Sequence, residues 1–490
     1  MTQREADSAA HGLRKDSLGV FGVIFFVVSA AGPLVAMAGG VPVSMVVGNG
    51  AGIPAMFLIA VAILLPFAAG LTAIVPHVKS AGGFYVIAGR GLGGHAAGAS
   101  AVIAVLSYSM IQLSLFGLFG ASATTFAAEQ LHLSLPWWTY GLAALLLVAG
   151  LGYRQVDLSA KVLSVLVIAE YLAVLLLDWS VLLHSPAGHY SEPFQPAVVS
   201  SGSPWIGLLM CFSAFIGFEA TTIYAEEARD PDRTIPVATY VSLLLIGGFY
   251  IFSSWCMVVA VGADTLVPTL TSLPDPTLFL FRLATRFVGP WLAFVMHLLY
   301  LTSIFAGILA FHNSVARYLF AMGREQLLPQ RISHTHAQHR SPHVASVVQS
   351  LGAIVLLACF VLAGVDPIAM FARVSAAGTL GIIALMAIAS TAVTWFFRGR
   401  AGNVWRIRVF PGIATFGLII VLALACWHFD TLAGDRSPWV RSMPLLVLLA
   451  ALMGLAMAEM LRRSDLAGFG RLSRVAAGGV DSQTRSGHDQ

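Results

Sequence analysis

Charge is what this sequence most lacks: only 10% of its 490 residues are Asp, Glu, Lys or Arg, against roughly 25% in ordinary soluble domains. The deficit is concentrated, since no charged residue occurs between Asp16 and Lys79 or between Arg90 and Glu129. That excludes a soluble globular fold and also a transmembrane barrel, whose strands are about 10 residues long and alternate polar with apolar. Cysteine is scarce as well. The four present, Cys211, Cys256, Cys359 and Cys426, lie in or beside apolar stretches, so no disulfide framework is expected and they read as small core residues. A Gly-Lys-Ser/Thr phosphate loop is missing, because GRGLGG from Gly89 to Gly94 lies in a loop and follows no strand.

Apolar residues are plentiful instead, at 58%, with a mean hydropathy of +0.84. A helix needs roughly 20 apolar residues to cross about 30 Å of hydrocarbon. Runs bounded by charge, Pro or Gly predict twelve spans, near 18–47, 52–75, 95–128, 137–153, 160–183, 204–226, 236–262, 288–318, 343–364, 369–397, 409–430 and 440–461. The first exceeds a signal-peptide core and is expected to stay in the mature chain. An even number puts both termini on one side. With the termini in the cytoplasm, 22 of the 27 Lys and Arg residues fall on that side, as the positive-inside bias requires. The same bias accounts for the net charge of +4, so no nucleic-acid partner is expected. The reading is an all-α polytopic protein of the cell membrane. It has a cytoplasmic segment 1–16, a helical domain 17–462 and a disordered cytoplasmic tail 463–490.

Two spans carry signs of interruption. Span 1 has Gly32-Pro33 at its middle with Gly39, Gly40 and Pro42 behind, and span 6 places Gly217 beside Phe218-Glu219. Glycine tolerates unusual dihedrals and proline removes a donor. Five spans separate the two, and interruptions at matched positions of two halves point to an inverted-repeat transporter with its site at the midplane. Backbone groups freed at a break need a partner that hydrocarbon cannot supply and a polar guest can.

The stretch FSAFIGFEATTIYAEEARDPDRTIPVA (Phe212 to Ala238), the loop PHVKSAGGFYVIAGRGLGG (Pro76 to Gly94) and the exit ARYLFAMGREQLLP (Ala316 to Pro329), together with the broken span 1, resemble the amino acid, polyamine and organocation permeases. The resemblance runs from about residue 17 to 430. It implies a leucine-transporter-type fold of five plus five inverted spans, repeat one about 17–183 and repeat two about 204–397, with spans 11 and 12 (409–461) added. It also implies alternating access to a site between spans 1, 3, 6, 8 and 10. In such permeases freed carbonyls hold the substrate amine, and N–H groups of the span 1 half-helix hold its carboxylate. Those roles fall on Ala30, Ala31 and Gly32 and on Ser213, Ala214 and Ile216. Pro33 has no N–H to give, which leaves Gly32 or Leu34 for a carboxylate and an amine without one as the alternative cargo.

Glu219 and Glu170 are the deepest acidic residues, each costing on the order of 2.5–3.5 kcal/mol if ionised at mid-bilayer. Either could take a proton in one transport state and release it in another, which makes both proton-coupling candidates. Glu170 stands where several proton-coupled relatives carry a lysine. Tyr108, Ser109 and Gln112 on span 3 are pocket candidates, and Phe212, Phe215 and Phe218 are aromatic lid or core positions. Thr302 and Ser303 are the hydroxyl pair a less favoured sodium site would use. His334, His336, His339 and His343 form a solvated loop, with no metal expected. No cofactor is expected either. The function read from the sequence is secondary active transport of an amino acid or related amine, as proton-coupled uptake. A polyamine permease or exchanger is the alternative, and an integral membrane enzyme using His297 and His312 the distant one.

Overall fold

The computed structural model describes residues 18–78, 82–154, 157–185, 190–336, 338 and 341–474. Among them every regular element is a helix. The long ones are named α1 (Val20–Val47), α2 (Gly50–His77), α3 (Gly94–Leu131), α4 (Trp137–Tyr153), α5 (Ser164–His184), α6 (Pro204–Tyr224), α7 (Pro231–Val261), α8 (Pro290–Arg324), α9 (His343–Leu362), α10 (Pro367–Phe396), α11 (Trp405–Trp427) and α12 (Pro438–Ser464). Eleven are long and apolar enough to cross a membrane; α4 is apolar but shorter. They coincide with the predicted runs because a charge-free run of this length can satisfy its backbone in hydrocarbon only as a helix.

Burial sorts these helices into centre and rim. In α10, α6 and α3, 83%, 78% and 72% of the apolar window is buried, against 28% in α11 and α12. α3 is the axis, packed by α10, α12, α8 and α4, while α1 lies among α5, α7 and α8. The cysteines follow this division: Cys211 and Cys256 are buried, but Cys359 on α9 and Cys426 on α11 are exposed. The core reading thus holds for two of the four, and the other two lie on rim helices with one face outward.

α1 and α6 are interrupted. The first stretch of α1 ends at Ala31, Gly32 takes φ 56° and ψ 71°, and helix resumes at Pro33. A π-helical turn at Ala36–Gly40 follows, where Gly39 and Gly40 make the wider coil easy. α6 runs regularly from Pro204 to Ser213 and passes through turns closed by Ala214, Phe215 and Ile216 N–H groups donating three residues back. It turns at Gly217 (φ 113°) and continues as a 3-10 coil, Phe218–Tyr224. The interrupted helices are the first of each group of five, as the fold reading expects.

One expectation fails beyond α12. The segment after Arg463, read as disordered, carries the helix α13 (Leu466–Arg474). Its Leu472 is fully buried, and its Phe469 ring packs edge-on to His95 at 5.0 Å. The alternation of Leu466, Phe469 and Leu472 gives this short helix one apolar side, which the Gly, Ser and Arg content around it obscured. The predicted segment 1–16 and residues 475–490 lie outside the described residues.

Candidate functional site

The two breaks meet. A Cβ placed on Gly217 would stand 2.8 Å from the Ala30 Cβ and 3.0 Å from the Ala30 carbonyl carbon, so the α6 turn lies directly on the Ala30-Ala31 peptide. Only glycine fits, both for its dihedrals and for the absent methyl.

Two carboxylates serve this junction. Glu219 accepts from the Gly217 N–H at 2.8 Å through one oxygen and from the Tyr108 hydroxyl at 2.9 Å through the other. It thereby satisfies a donor freed by the α6 break and ties that break to α3. Tyr108 is buried and stacks on Tyr318 at 5.5 Å. Glu170 on α5 sits behind the α1 break. One of its oxygens accepts from Ser303 Oγ at 2.7 Å and from the Leu34 N–H at 3.4 Å, and the other is buried with no protein partner among the described residues. Ser29 Oγ is likewise buried and unpartnered. From α7, the Tyr250 hydroxyl donates to the Ala31 carbonyl at 3.3 Å.

The residues singled out in the sequence separate into groups. Ala30, Ala31, Gly32, Leu34, Ser213, Ala214, Ile216, Glu219, Tyr108 and Glu170 all lie at the breaks or bond to groups that do. The Gly32 N–H, one of the two expected carboxylate donors, is spent inside α1 on the Val28 and Ser29 carbonyls, and the Leu34 N–H points to Glu170. Phe215 is buried edge-on to Phe57 and Tyr250, and Phe212 is fully buried too, so both are packing residues here.

Gln112 departs from the reading. Its amide nitrogen bonds His312 Nδ1 at 3.2 Å and its oxygen accepts from Gln349 at 2.6 Å, while His312 Nε2 meets Ser346 Oγ at 2.8 Å and Ser109 donates to Gln349. Gln112 and Ser109 therefore join α3 to α8 and α9 in a buried chain, and offer the breaks nothing. Sequence spacing puts them on one face with Tyr108 but cannot say which neighbour that face meets. The Thr302-Ser303 pair divides, Thr302 bonding its own helix at Leu299 and Ser303 turning to Glu170. In the histidine loop, His336 and His343 pack edge-on about Tyr153, and His339 lies outside the described residues. His297 stacks on Phe281.

Sequence reasoning missed Asp178, buried on α5 and accepting from Ser253 of α7 at 2.5 Å. The signal was present as a lone acid in the apolar run LLLDWS. It also left open how the exit of α6 is held. Arg317 of α8 forms a buried two-point pair with Glu227, at 2.6 and 3.1 Å, and lies 4.7 Å over the Tyr224 ring. Arg324 grips Glu226 at 2.6 Å. Leu18, just before α1, exchanges backbone bonds with Glu227 and Arg229. With Tyr224, Glu227 and Arg317 all buried, this end of the bundle is shut over, and the space beside them among Ile74, Val78, Ile87 and Thr222 is about 10 Å³, about enough for one water.

A helical bundle that spans the bilayer many times and joins two broken helices at its centre defines a polytopic membrane permease. The chain belongs to the amino acid permease family, whose model matches residues 18–452. It is 24% identical over 323 residues to the low-affinity putrescine importer PlaP of Escherichia coli K12, a match spanning 62% of this chain and 66% of that importer. It is 26% identical over 196 residues to the branched-chain amino acid permease BcaP of Bacillus subtilis, spanning 40% of each. Against human cationic amino acid transporter 4 it is 28% identical over 136 residues, covering 28% of this chain and 20% of that protein.

Proposed function

We propose that the chain is a secondary active transporter, not an enzyme, that carries an amino acid or related amine across the cell membrane by alternating access. In this reading α4 is the twelfth span and both termini are cytoplasmic. Residues 17–462 form the transport domain, with repeats at about 17–183 and 204–397. The observation that carries it is the contact of Gly217 with the Ala30-Ala31 peptide, which brings the two breaks together at one point. The substrate amine is assigned to carbonyls at the two breaks, among Ala30, Ala31 and Gly32 on α1 and Ser213, Ala214 and Ile216 on α6. The shut end then corresponds to the cytoplasmic gate, and substrate reaches the breaks from the other side.

Uptake is proton-coupled through Glu219, with Glu170 second. A proton on the Glu219 oxygen that faces Gly217 competes with a backbone N–H that cannot turn away, whereas a proton on the other oxygen meets only the rotatable Tyr108 hydroxyl. Proton binding is thereby tied to the geometry of the α6 break. In proteoliposomes, Glu219→Gln is expected to lose acid-driven accumulation while keeping counterflow of labelled substrate. Undiminished acid-driven accumulation removes Glu219 from the coupling. Absence of counterflow in the wild type, with every amino acid and amine tried, defeats the carrier reading itself.

One observation favours an amine without a carboxylate. The Leu34 N–H, the remaining donor expected for a substrate carboxylate, is already taken by a Glu170 oxygen, which leaves neither expected donor for a second carboxylate. The putrescine importer among the relatives agrees with this. Thermal stabilisation by diamines and monoamines, with none by their α-carboxylated analogues, is the expected result.

A further inference from the structure

A groove of about 480 Å³ opens between α10 and α11 at the end where the two helices are joined, lined by Thr391, Thr394, Trp395, Arg398, Arg408 and Thr415. The three threonine hydroxyls are occupied, donating to the carbonyls of Ala387, Ser390 and Pro411. Among the described residues, it is the guanidinium groups that keep unused donors. Arg398 lies 4.7 Å over the Trp395 ring, and Arg408 reaches only the Arg400 carbonyl at 3.3 Å. Arg400 stacks on Phe396 and Arg406 touches the Thr72 carbonyl.

Among the described residues, none of these four arginines pairs with a carboxylate, whereas Arg317, Arg324, Arg373, Arg441, Arg462, Arg463 and Arg471 each do. Nearby Arg90 has its Nε buried without a partner. Four positive charges therefore crowd one rim of the bundle with no carboxylate paired to them among the described residues. Next to them the surface is of another kind: Trp395 and Trp405 are exposed at the level expected of interfacial aromatics, and Ile413 and Phe416 of α11 are exposed further along. A cationic mouth above an apolar wall on a membrane-facing groove matches a molecule with an anionic head and a hydrocarbon tail.

We propose that this groove binds an anionic phospholipid, with its phosphate held by Arg398 and Arg408 and an acyl chain lying along the exposed face of α11. Arginine suits the task because its planar fork takes two phosphate oxygens at once. The occupant is a lipid rather than free phosphate because most of the groove's lining surface is apolar, which an inorganic ion would leave bare.

The full-length protein in a mild detergent is to be titrated with phosphatidylglycerol, phosphatidylcholine or inorganic phosphate while its thermal unfolding is followed. Phosphatidylglycerol is expected to raise the midpoint by several degrees beyond phosphatidylcholine, and inorganic phosphate to do nothing. The double variant Arg398→Gln/Arg408→Gln is expected to lose that difference while unfolding normally in phosphatidylcholine. Arg462→Gln, which removes a paired arginine elsewhere, keeps it. Equal shifts by both lipids, a full shift by inorganic phosphate, or an undiminished shift in the double variant overturns the proposal. Should the double variant not fold, the wild type decides by fluorescence, with the signal of Trp395 isolated by difference against Trp395→Phe. Stronger quenching of Trp395 by brominated phosphatidylglycerol than by brominated phosphatidylcholine supports the site, and equal quenching overturns it.

Discussion

At the scale of single residues, the junction depends on two side-chain choices of opposite kind: a glycine that must stay small and a glutamate that must stay an acceptor. Gly217→Ala combines a left-handed backbone, costing roughly 1–3 kcal/mol for a residue with a Cβ, with overlap onto the Ala30 peptide. We expect it to lower the unfolding midpoint and abolish transport, whereas Gly248→Ala on α7, where a Cβ meets nothing within 4 Å, leaves both unchanged. Equal effects of the two changes in a thermal melt would contradict the packing argument. Tyr108→Phe removes one donor to Glu219 and leaves the ring stack on Tyr318. Its expected outcome is folded protein with a displaced pH profile of uptake.

At the scale of elements, the pair Arg317–Glu227 fastens α8 to the exit of α6. Taking away one partner of a buried ion pair leaves a naked charge and costs about 3–5 kcal/mol, while replacing both with apolar residues of similar size is often neutral. Arg317→Met alone is therefore expected to loosen the shut end, and Arg317→Met/Glu227→Met to restore its closure. A cysteine at Thr222, in a background lacking Cys359 and Cys426, reports this as faster labelling in the single variant than in the double. What was legible at this scale follows from physics that acts along the chain. Span positions and both interruptions were readable because charge-free length, Gly32-Pro33 and Gly217 act locally. The partners of Gln112, the burial of Asp178 and the docking of α13 were not, since each depends on which helix lies opposite. Glu219 was readable as important from its cost in hydrocarbon, but not its two donors, one of which comes from α3.

At the scale of the whole molecule, the rim is tied to the core by half-buried polar contacts as well as by packing. Arg373 of α10 meets Asp435 in the α11–α12 connection at 2.8 Å and lies over Trp439. The Asp435 carboxyl is held below its ordinary value, first by the Ser437 backbone N–H and also by the Arg373 guanidinium. A carboxyl depressed in the folded state contributes stability above its unfolded value, near 3.8, and loses that contribution as pH falls through the folded value. Asp435→Asn is therefore expected to lower the melting midpoint slightly at neutral pH and to make no difference once the pH is well below 3.8; melts across acidic pH check it.

The seat of Gly217 on the Ala30-Ala31 peptide also bears on motion. With no side chain between them to act as a cushion, we expect the two broken helices to move as one lever, neither pivoting without dragging the other. A chemical staple that immobilises α1 alone should thus freeze α6 as well, so that a single tether arrests both halves of the cycle.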